Sequence, residues 1–451
     1  MKSILHRRLL ASVAAAGVAG LALAGCTGDI ENGGGGAGGD ADCADYEQYG
    51  TFDGAEVTIS GTIVEVEADR LIASWADFEE CTGIEVEYQG TQEFEANIEV
   101  LAQGGNAPDL GIFPQPGLFQ RLARGGHFVE PSADTQANVD EFWSEDWKGY
   151  GTVDGTFYGA PLMASIKGYV WYSPAEFEEN GWEIPTTLDE LDALSQQIAA
   201  DSGHKPWCIG LGSDAATGWP ATDWIEDFVL RMHGPEVYDQ WIAHEIPFND
   251  PQIVEAFDAV GDYIKNDDYV NGGLGDVRSQ LSVPFGEGGL PILEGECSLH
   301  HQASFYEGFW GEGVTVAEDG DVWAFLTPPV NADDPQAVTG GGEIVGAFDD
   351  REEVQAFQTY LASDTWANNR VAEGGVISAN SGLDPSVASS DLLVQSIEIL
   401  QNPETTFRFD ASDLMPGAVG ADSFFRGIVD WIGGAETQEV VDEIESSWPA
   451  E

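Results

Sequence analysis

The sequence predicts an α/β protein built from two lobes. Three observations lead to this prediction. The chain has 451 residues, which is enough for two or three domains at roughly 100 to 200 residues per domain. Its 43% hydrophobic composition is that of a globular chain. Apolar residues then recur with periods of 2 and 3.6 in turn, and this alternation is typical of strands and helices that follow one another in an α/β fold.

The first run of elements alternates strands and helices. In chain order they are a strand over 57–64, a helix with Leu71, Trp75 and Phe78 on one face that Gly83 ends, a strand over 84–88, a helix with Phe94, Ile98 and Leu101 on one face, a buried strand over 110–113 and a helix over 118–124. Glycine is expected directly after a helix because it adopts the left-handed backbone at low cost. The order is therefore βαβαβα.

Turn and capping residues delimit the second run. Asp154-Gly155 predicts a tight hairpin turn between strands over 150–153 and 156–160. The further predicted elements are helices after the capping residues Ser173 and Thr187, a strand over 207–211, a helix from Pro220 to Arg231, a helix after Asp250-Pro251 with Ile253, Phe257, Val260 and Ile264 on one face, and a helix capped by Asp350 that carries Phe357, Tyr360 and Leu361. The two runs predict two α/β lobes.

The charge excludes one class of partner. Eighty Asp and Glu residues stand against 16 Lys and Arg, so the formal net charge is −64. Such a field repels phosphate backbones and anionic headgroups. Nucleic acid is therefore not an expected partner.

Residues 1–25 have the features of a lipoprotein signal peptide: a basic start, an apolar run and the lipobox Leu23-Ala24-Gly25-Cys26. We expect lipidation of Cys26, followed by a glycine-rich tether over 26–49. The alternative is a plain secretory signal with a chance cysteine. No later window reaches about 18 uncharged apolar residues, so an extracytoplasmic protein held at the cell membrane by its lipid anchor alone is predicted.

Removal of the signal peptide takes away Lys2, Arg7 and Arg8 and no acid, which changes the formal charge from −64 to −67. Such a surface repels itself at low salt and tolerates high salt. The excess of acid indicates either a salt-rich habitat or a lineage that favours acidic secreted proteins.

Four cysteines remain beyond Cys26, and an even number in an exported chain predicts two disulfides. Three connectivities are possible. We favour Cys43–Cys81, which would hold the start of the domain to its first helix, and Cys208–Cys297, which would close a long loop within one lobe. A zinc site is not expected, because the chain has no CxxC spacing and its adjacent histidines, 300 and 301, would point in different directions. No metal or cofactor is expected.

Several blocks of the sequence resemble a known family. The blocks are Gly104-Gly105-Asn106-Ala107-Pro108-Asp109, Phe113-Pro114-Gln115-Pro116-Gly117, Asp154-Gly155-Thr156-Phe157-Tyr158-Gly159-Ala160-Pro161, Trp171-Tyr172-Ser173-Pro174, Pro206-Trp207-Cys208-Ile209-Gly210, Ala216-Thr217-Gly218-Trp219-Pro220-Ala221-Thr222-Asp223-Trp224, His301-Gln302-Ala303-Ser304-Phe305 and Asp413-Leu414-Met415-Pro416. From about residue 50 to its end, the chain is similar to carbohydrate-binding lipoproteins of ABC importers, in particular the alpha-glucoside-binding group.

The resemblance implies a two-lobe clamshell of the periplasmic-binding-protein type (type II) whose chain crosses the hinge three times. We place the crossings near Ala164, Val330 and Ala379. Lobe one would then comprise 50–163 plus 331–378, and lobe two 164–330 plus 379–451. The implied partners are a di- or oligosaccharide in the cleft and the permease subunits of the importer, to which the closed form of a monomer delivers its ligand.

Sugar sites combine flat aromatic rings with carboxylates, amides and cations, because a sugar has an apolar C–H face and a belt of hydroxyl groups. The candidate ligand-binding residues are Trp219, Phe425, Gln115, Asp223, Trp224, Gly341, Gly342, Glu343, His301 and Gln302. Trp219 leads this set because it stands at a helix start, where a large ring serves core packing poorly. Phe425 replaces a Trp that the family often has on the cleft floor. Lys167 lies beside a proposed hinge crossing, where an interlobe ion pair is expected.

Some of these residues have a plainer interpretation that stays open. Trp219 can anchor a loop, Asp223 can complement a helix dipole, and Gly341 and Gly342 can form an ordinary turn. A binding protein that feeds a sensor instead of a permease would have the same features. A secreted glycoside hydrolase is the enzymatic alternative, but 80 carboxylates supply pairs at glycosidase spacing by chance, and the chain has no Gly-x-Ser-x-Gly motif. We therefore expect no enzymatic activity.

Overall fold

The computed structural model describes residues 43–449. The predicted signal peptide, the lipidation site Cys26 and tether residues 27–42 lie outside the described residues. Residues 43–49 were assigned to the tether, and this assignment is wrong: they form two short 3-10 turns, and Tyr46 and Tyr49 are buried against the aromatic rings of Phe78 and Tyr360. These apolar rings bind the segment to the folded body.

The described chain contains thirteen strands, most of which are short. They are β1 (Ala55–Gly61), β2 (Ile84–Gly90), β3 (Leu110–Phe113), β4 (Thr152–Val153), β5 (Thr156–Phe157), β6 (Gly159–Ile166), β7 (Tyr169–Tyr172), β8 (Lys205–Cys208), β9 (Val270–Asn271), β10 (Cys297–Gln302), β11 (Trp323–Leu326), β12 (Ala337–Ala347) and β13 (Thr406–Phe409).

Sixteen α-helices surround these strands in the described part of the chain. They are α1 (Glu65–Ala73), α2 (Ala76–Thr82), α3 (Phe94–Gln103), α4 (Pro116–Arg124), α5 (Ala133–Phe142), α6 (Glu145–Tyr150), α7 (Pro174–Asn180), α8 (Leu188–Asp201), α9 (Trp219–Ile242), α10 (Pro251–Ile264), α11 (Glu352–Leu361), α12 (Asp364–Ala372), α13 (Asp391–Gln401), α14 (Ala411–Leu414), α15 (Phe425–Gly433) and α16 (Thr437–Ser446). No helix among residues 43–449 has the length and apolar character needed to cross a membrane.

The strands form two main sheets, each with helices around it. The first sheet has the order β13-β12-β3-β1-β2, with β6 also paired to β12, and β1 runs parallel to both β2 and β3. The second has the order β11-β7-β10-β8-β9. A third, two-stranded sheet is the β4–β5 hairpin, whose turn residues Asp154 and Gly155 both have positive φ, as predicted. The predicted α/β class is confirmed.

Two of the predicted helices differ in detail. The helix through Leu71 and Phe78 is in fact two helices, α1 and α2, which break at Ser74 and Trp75. Trp75, at this break, is fully buried. The helix start assigned to Asp350 is also displaced: the N-cap of α11 is Arg351 and makes no side-chain cap.

The chain passes between the two sheets at defined segments. It leaves the first sheet after β6 and enters the second at β7, and it returns between β11 and β12, close to the crossings placed at Ala164 and Val330. The lobe boundaries as a whole remain a prediction. One part is wrong: residues 406–409 were assigned to lobe two, yet β13 pairs in parallel with β12 of the first sheet.

Both favoured disulfides are present in the structure. Cys43 pairs with Cys81, and Cys208 with Cys297. The first joins the initial 3-10 turn to α2, and the second joins two strands of the second sheet, β8 and β10, which are already parallel neighbours. The predicted connectivity is confirmed.

Candidate ligand-binding site

A buried lysine lies where the chain first passes from one sheet to the other. Lys167 directly follows β6 and is 8% exposed. Its ammonium donates to Asp223 at 2.8 Å and forms an ion pair with Asp410 at 2.9 Å. It also lies 4.8 Å from the centroid of the Trp219 ring, a distance at which cation–π attraction operates. The predicted ion pair of Lys167 is confirmed, and it has two carboxylate partners.

The first turn of α9 places Trp219 and Asp223 at this lysine. Gly218, the N-cap, has a φ of +114°, and a Cβ there would lie 2.7 Å from the backbone oxygen of Phe425. Both the left-handed backbone and this close approach require glycine. The Trp219 ring is half-buried, with Phe285 packed edge-on at 5.1 Å between centroids. Trp219 therefore keeps part of its ring surface free beside a fixed positive charge.

Three buried carboxylates converge next to Lys167. Asp223 and Glu226 are three residues apart on one face of α9, and Asp410 follows β13; each offers an oxygen within 4.8 Å of the others. Donor groups of the protein itself already bind these three carboxylates. Lys167 binds both aspartates, and the Glu226 oxygens accept backbone N–H groups at the start of α14 at 3.0 and 3.1 Å. The set could offer oxygen ligands to a hard cation, but such an ion would compete with these donors.

Burial sets the protonation of this cluster. Burial raises the pKa of Asp223 and of Asp410, and the positive charge of Lys167 opposes this rise. Burial also raises the pKa of Glu226, and the negative charges of the two neighbouring aspartates raise it further. Burial alone would lower the pKa of Lys167, but the surrounding carboxylates raise it above its ordinary value. The ammonium therefore stays charged while several carboxylates share it.

Strand β12 forms the opposite side of the cluster. A Cβ on Gly341 would lie 3.2 Å from the Asp410 carboxylate and 3.5 Å from the Lys167 side chain, so Gly341 borders the charged groups. A Cβ on Gly342 would instead meet the backbone oxygen of residue 163 at 2.4 Å. Glu343 is half-buried, and desolvation raises its pKa to about 7. Of these three predicted residues, Gly341 and Glu343 border charged groups, whereas Gly342 is required for strand packing.

Two further predicted residues lie near the start of α9 or α14. Phe425, the first residue of α15, contacts Gly218 through its backbone, and its side chain is 7% exposed. Gln115 is the N-cap of α4 at the carboxyl end of β3, and it is 6% exposed. The first turn of α4 approaches α14, since a Cβ on Gly117 would lie 2.6 Å from the backbone oxygen of Met415, which directly follows α14.

Three predicted residues lie instead in the core of the second sheet. Trp224 is 2% exposed and packs against Trp207 and the His301 ring, with centroids 4.8 and 4.4 Å away. His301 also lies 3.6 Å from Asp227, and Gln302 is 2% exposed and accepts the following backbone N–H. The structure therefore places these three residues in the interior beside the second sheet, and their contact with a ligand stays a prediction.

Sequence reasoning missed several charged residues of the site. Glu226 carried a detectable signal, since it lies three residues after Asp223 on a helix. Asp410 lies just before one of the quoted blocks, but no pattern marks it as buried. Glu67 on α1 and Arg370 on α12 lack any sequence signal, although both charges act on Glu343.

The arrangement suits a ligand rich in hydroxyl groups. A ring with a free surface can cover an apolar C–H face, while carboxylates accept and cations donate hydrogen bonds to hydroxyls. Two surface depressions among residues 43–449, lined around Ala44 to Gln48 and around Pro235 to Glu245, contain none of these groups. Because the charged groups are nearly closed off from solvent, a ligand can reach them only if the walls of the site separate.

Comparisons with known proteins all indicate a solute-binding protein. The profile of the family described as bacterial extracellular solute-binding protein matches residues 63–296. The chain is 39% identical over 404 residues to the osmoprotective compounds-binding protein GgtB of Synechocystis. The aligned region covers 89% of this chain and 94% of that protein. It is 38% identical to the alpha-glucosides-binding periplasmic protein AglE of Rhizobium meliloti, over 83% of this chain and 82% of that one.

Solved structures share the fold at low identity. The bacterial solute receptor AcbH superposes with a TM-score of 0.73 at 16% identity, covering 87% of this chain and 98% of that one. At this identity the likeness concerns the fold alone, and it identifies the two-sheet architecture as a type II two-lobe clamshell.

Proposed function

The chain belongs to the bacterial extracellular solute-binding protein family, and from this premise we propose that it binds an alpha-glucoside or a related di- or oligosaccharide and delivers it to an ABC permease by closing its two lobes. The family places it outside the cytoplasm as the solute-binding component of an ABC transporter. The identity of the sugar, the delivery step and the lipid anchor on Cys26 are parts of the proposal.

One observation carries the proposal. Lys167 lies at a crossing between the sheets and links Asp223 of α9 to Asp410 after β13, directly beside the free part of the Trp219 ring. Polar donors, polar acceptors and an aromatic face therefore meet where two lobes articulate, which is where a clamshell binds its ligand. The similarity to an alpha-glucosides-binding protein, over 83% of this chain, supports this choice of sugar.

Calorimetric titration with maltose, trehalose, sucrose and maltotriose tests the ligand. Trp219→Ala should weaken binding by about 10- to 150-fold, since stacking and burial of the ring face are worth about 1.5–3 kcal/mol. Trp448→Ala is a matched control, because Trp448 is also half-buried but stacks on His244 near the carboxyl terminus. No heat from any of the four sugars would refute the alpha-glucoside assignment.

Phe425 needs a milder variant than alanine. Phe425 lies outside the periodic stripes of the sequence, which predicts that alanine is tolerated there. The structure contradicts this prediction, because the residue is 7% exposed and truncation of a buried Phe costs about 3–5 kcal/mol of stability. Phe425→Leu removes the ring with less change in volume. Weaker sugar binding with an unchanged melting temperature would support a role in stacking, and unchanged binding would exclude one.

The lipid anchor has its own test. Cys26→Ser should release the protein from the membrane fraction of the producing cells, because no thiol would remain at that position for acylation. Retention of the variant in the membrane fraction would contradict lipidation at Cys26.

A further inference from the structure

Asp410 stands directly before α14 but does not cap this helix. An aspartate at such a position normally accepts backbone N–H groups of the first helical turn. Here the Asp410 side chain makes no cap, and the N–H groups of Ala411 and Ser412 donate to Glu226 instead, at 3.0 and 3.1 Å. Because Glu226 supplies the cap, the Asp410 carboxylate is available for other partners.

One oxygen of this carboxylate has no partner within the chain. Asp410 is 2% exposed, and its Oδ2 lies 2.9 Å from the Lys167 nitrogen. Its Oδ1 is buried, and no group among residues 43–449 donates a hydrogen bond to it. A buried charged acceptor that no donor satisfies is destabilising. A ligand from outside the chain is therefore expected at this oxygen.

Two further carboxylates lie beside Asp410. Asp223 and Glu226 are 4% and 0% exposed, and each offers an oxygen within 4.8 Å of an oxygen of Asp410. Asp223 binds the Lys167 nitrogen through its Oδ2 at 2.8 Å. Carboxylates that bind a metal ion are commonly hydrogen-bonded in addition, as Glu226 is by the two backbone N–H groups. Since a carboxylate has about four lone-pair positions, all three can accept a further ligand.

The charges of this cluster select a divalent cation. Three ionised carboxylates carry three negative charges and Lys167 carries one positive charge, so two negative charges are left over. The neighbouring Asp227 does not alter this balance, because it pairs with Arg231 at 3.3 Å. Oxygens this close together can surround Ca²⁺, whose bonds to oxygen are about 2.3–2.6 Å long. Mg²⁺ fits an enclosed site less well, because it usually keeps several of its water ligands.

We propose that Asp223, Glu226 and Asp410 form a binding site for a divalent cation with the ligand preferences of Ca²⁺, and that this ion shares the carboxylates with Lys167. The ion would join α9 to the segment between β13 and α14. The ammonium of Lys167 occupies one oxygen of each aspartate and repels the ion, so it limits the affinity. This site goes beyond the proposed function, because binding of the ion requires no sugar.

Calorimetric titration of CaCl₂ into the protein from Gly28 to its end, freed of metal by EDTA and dialysis, tests the site. In 1 M KCl the Debye length is about 3 Å, so diffuse binding of Ca²⁺ to the acidic surface is screened. The wild-type protein should bind one equivalent of Ca²⁺ with a dissociation constant of about 10⁻³ M or tighter, the range of extracellular calcium sites. Mg²⁺ should bind about tenfold more weakly or not at all.

Two variants should change the affinity in opposite directions. Glu226→Gln keeps the size of the side chain and removes one negative charge, so it should weaken Ca²⁺ binding about tenfold or more. Lys167→Met removes the ammonium that repels the ion, so it should tighten binding about tenfold or more. The matched controls are Glu398→Gln on the exposed face of α13 and Lys148→Met, whose ammonium pairs with an exposed carboxylate. Neither control should change the affinity.

The outcomes separate this site from diffuse binding and from a loss of fold. Melting temperatures in EDTA identify a variant that does not fold, and Asp410→Asn, which should also weaken binding, replaces it in the test. No saturable binding of Ca²⁺, or an affinity that Glu226→Gln and Asp410→Asn leave unchanged, would overturn the proposal. An unchanged affinity in folded Lys167→Met would overturn the sharing of carboxylates with the lysine. Titration with the four sugars in EDTA measures the proposed function separately, so either proposal can fail alone.

Discussion

Replacement of Lys167 by methionine removes the ammonium that two buried carboxylates share and keeps most of the side-chain volume. Asp223 and Asp410 are 4% and 2% exposed and lie 2.8 and 2.9 Å from the lysine nitrogen. Loss of one partner of a buried ion pair typically costs about 3–5 kcal/mol, because the remaining charge stays buried and uncompensated. We expect a loss of this size in Lys167→Met at pH 8, where both carboxylates are ionised in the unfolded chain.

The loss of stability in Lys167→Met should become smaller as pH falls. Burial raises the pKa of Asp223 and Asp410 in the folded protein, and Lys167 opposes this rise, so both values climb further without the lysine. The folded variant then binds more protons than its unfolded chain at pH values above the unfolded pKa of about 4. Its stability should therefore recover as pH falls from 8 to 5.

Urea and thermal unfolding at pH 8 and pH 5 measure this effect. Lys148→Met is the matched control, because Lys148 is half-buried but pairs with an exposed carboxylate, Asp140, and pairs that solvent reaches contribute about 0–1 kcal/mol. Asp223→Asn in the Lys167→Met background should restore part of the stability at pH 8. A deficit below about 1 kcal/mol at pH 8, or one of equal size at both pH values, would refute the reasoning about the shared charge.

Three further results are expected. Thiol titration of the denatured, unreduced protein starting at Gly28 should find no free thiol, because both disulfides are formed; two or more equivalents would contradict the pairing. The melting temperature should rise between 0.01 and 1 M NaCl or KCl, since the Debye length falls from about 30 to about 3 Å around a chain of formal charge −64; a flat or falling curve would exclude salt adaptation. Neutral-sugar affinity should decrease as pH falls through 7, because protonation of Glu343, whose pKa burial raises to about 7, removes an acceptor for ligand hydroxyls. The charged groups around it are Glu67, Arg370 and Lys167, and an unchanged pH profile in Glu343→Gln would show that another group is responsible.

Local patterns were sufficient to predict the element types. The hydrophobic stripe of α10, from Ile253 to Ile264, is buried as its spacing predicts, and Asp250 caps that helix through its side chain. Periodicity works here because one face of a helix is buried whatever element covers it. Capping residues work because the free N–H groups of a first turn need partners close in sequence.

The same patterns could not predict which other elements pack against a buried face. Trp219 and Trp224 come from one motif, yet Trp219 keeps a free surface beside Lys167, whereas Trp224 is enclosed by Trp207 and His301. Five residues separate them, and the direction of each side chain depends on elements far away in the chain.

By itself the sequence determined the α/β class, the hairpin turn at Asp154-Gly155 and the resemblance to sugar-binding proteins, and it favoured the observed cysteine pairing among three possible connectivities. Only the tertiary structure showed which residues come together in the charged site. Lys167, Asp223 and Asp410 come from three distant segments and form ion pairs at 2.8 and 2.9 Å. The physical reason is that the energy of a buried charge depends on which opposite charges and donors surround it in space, and neighbours along the chain do not specify them.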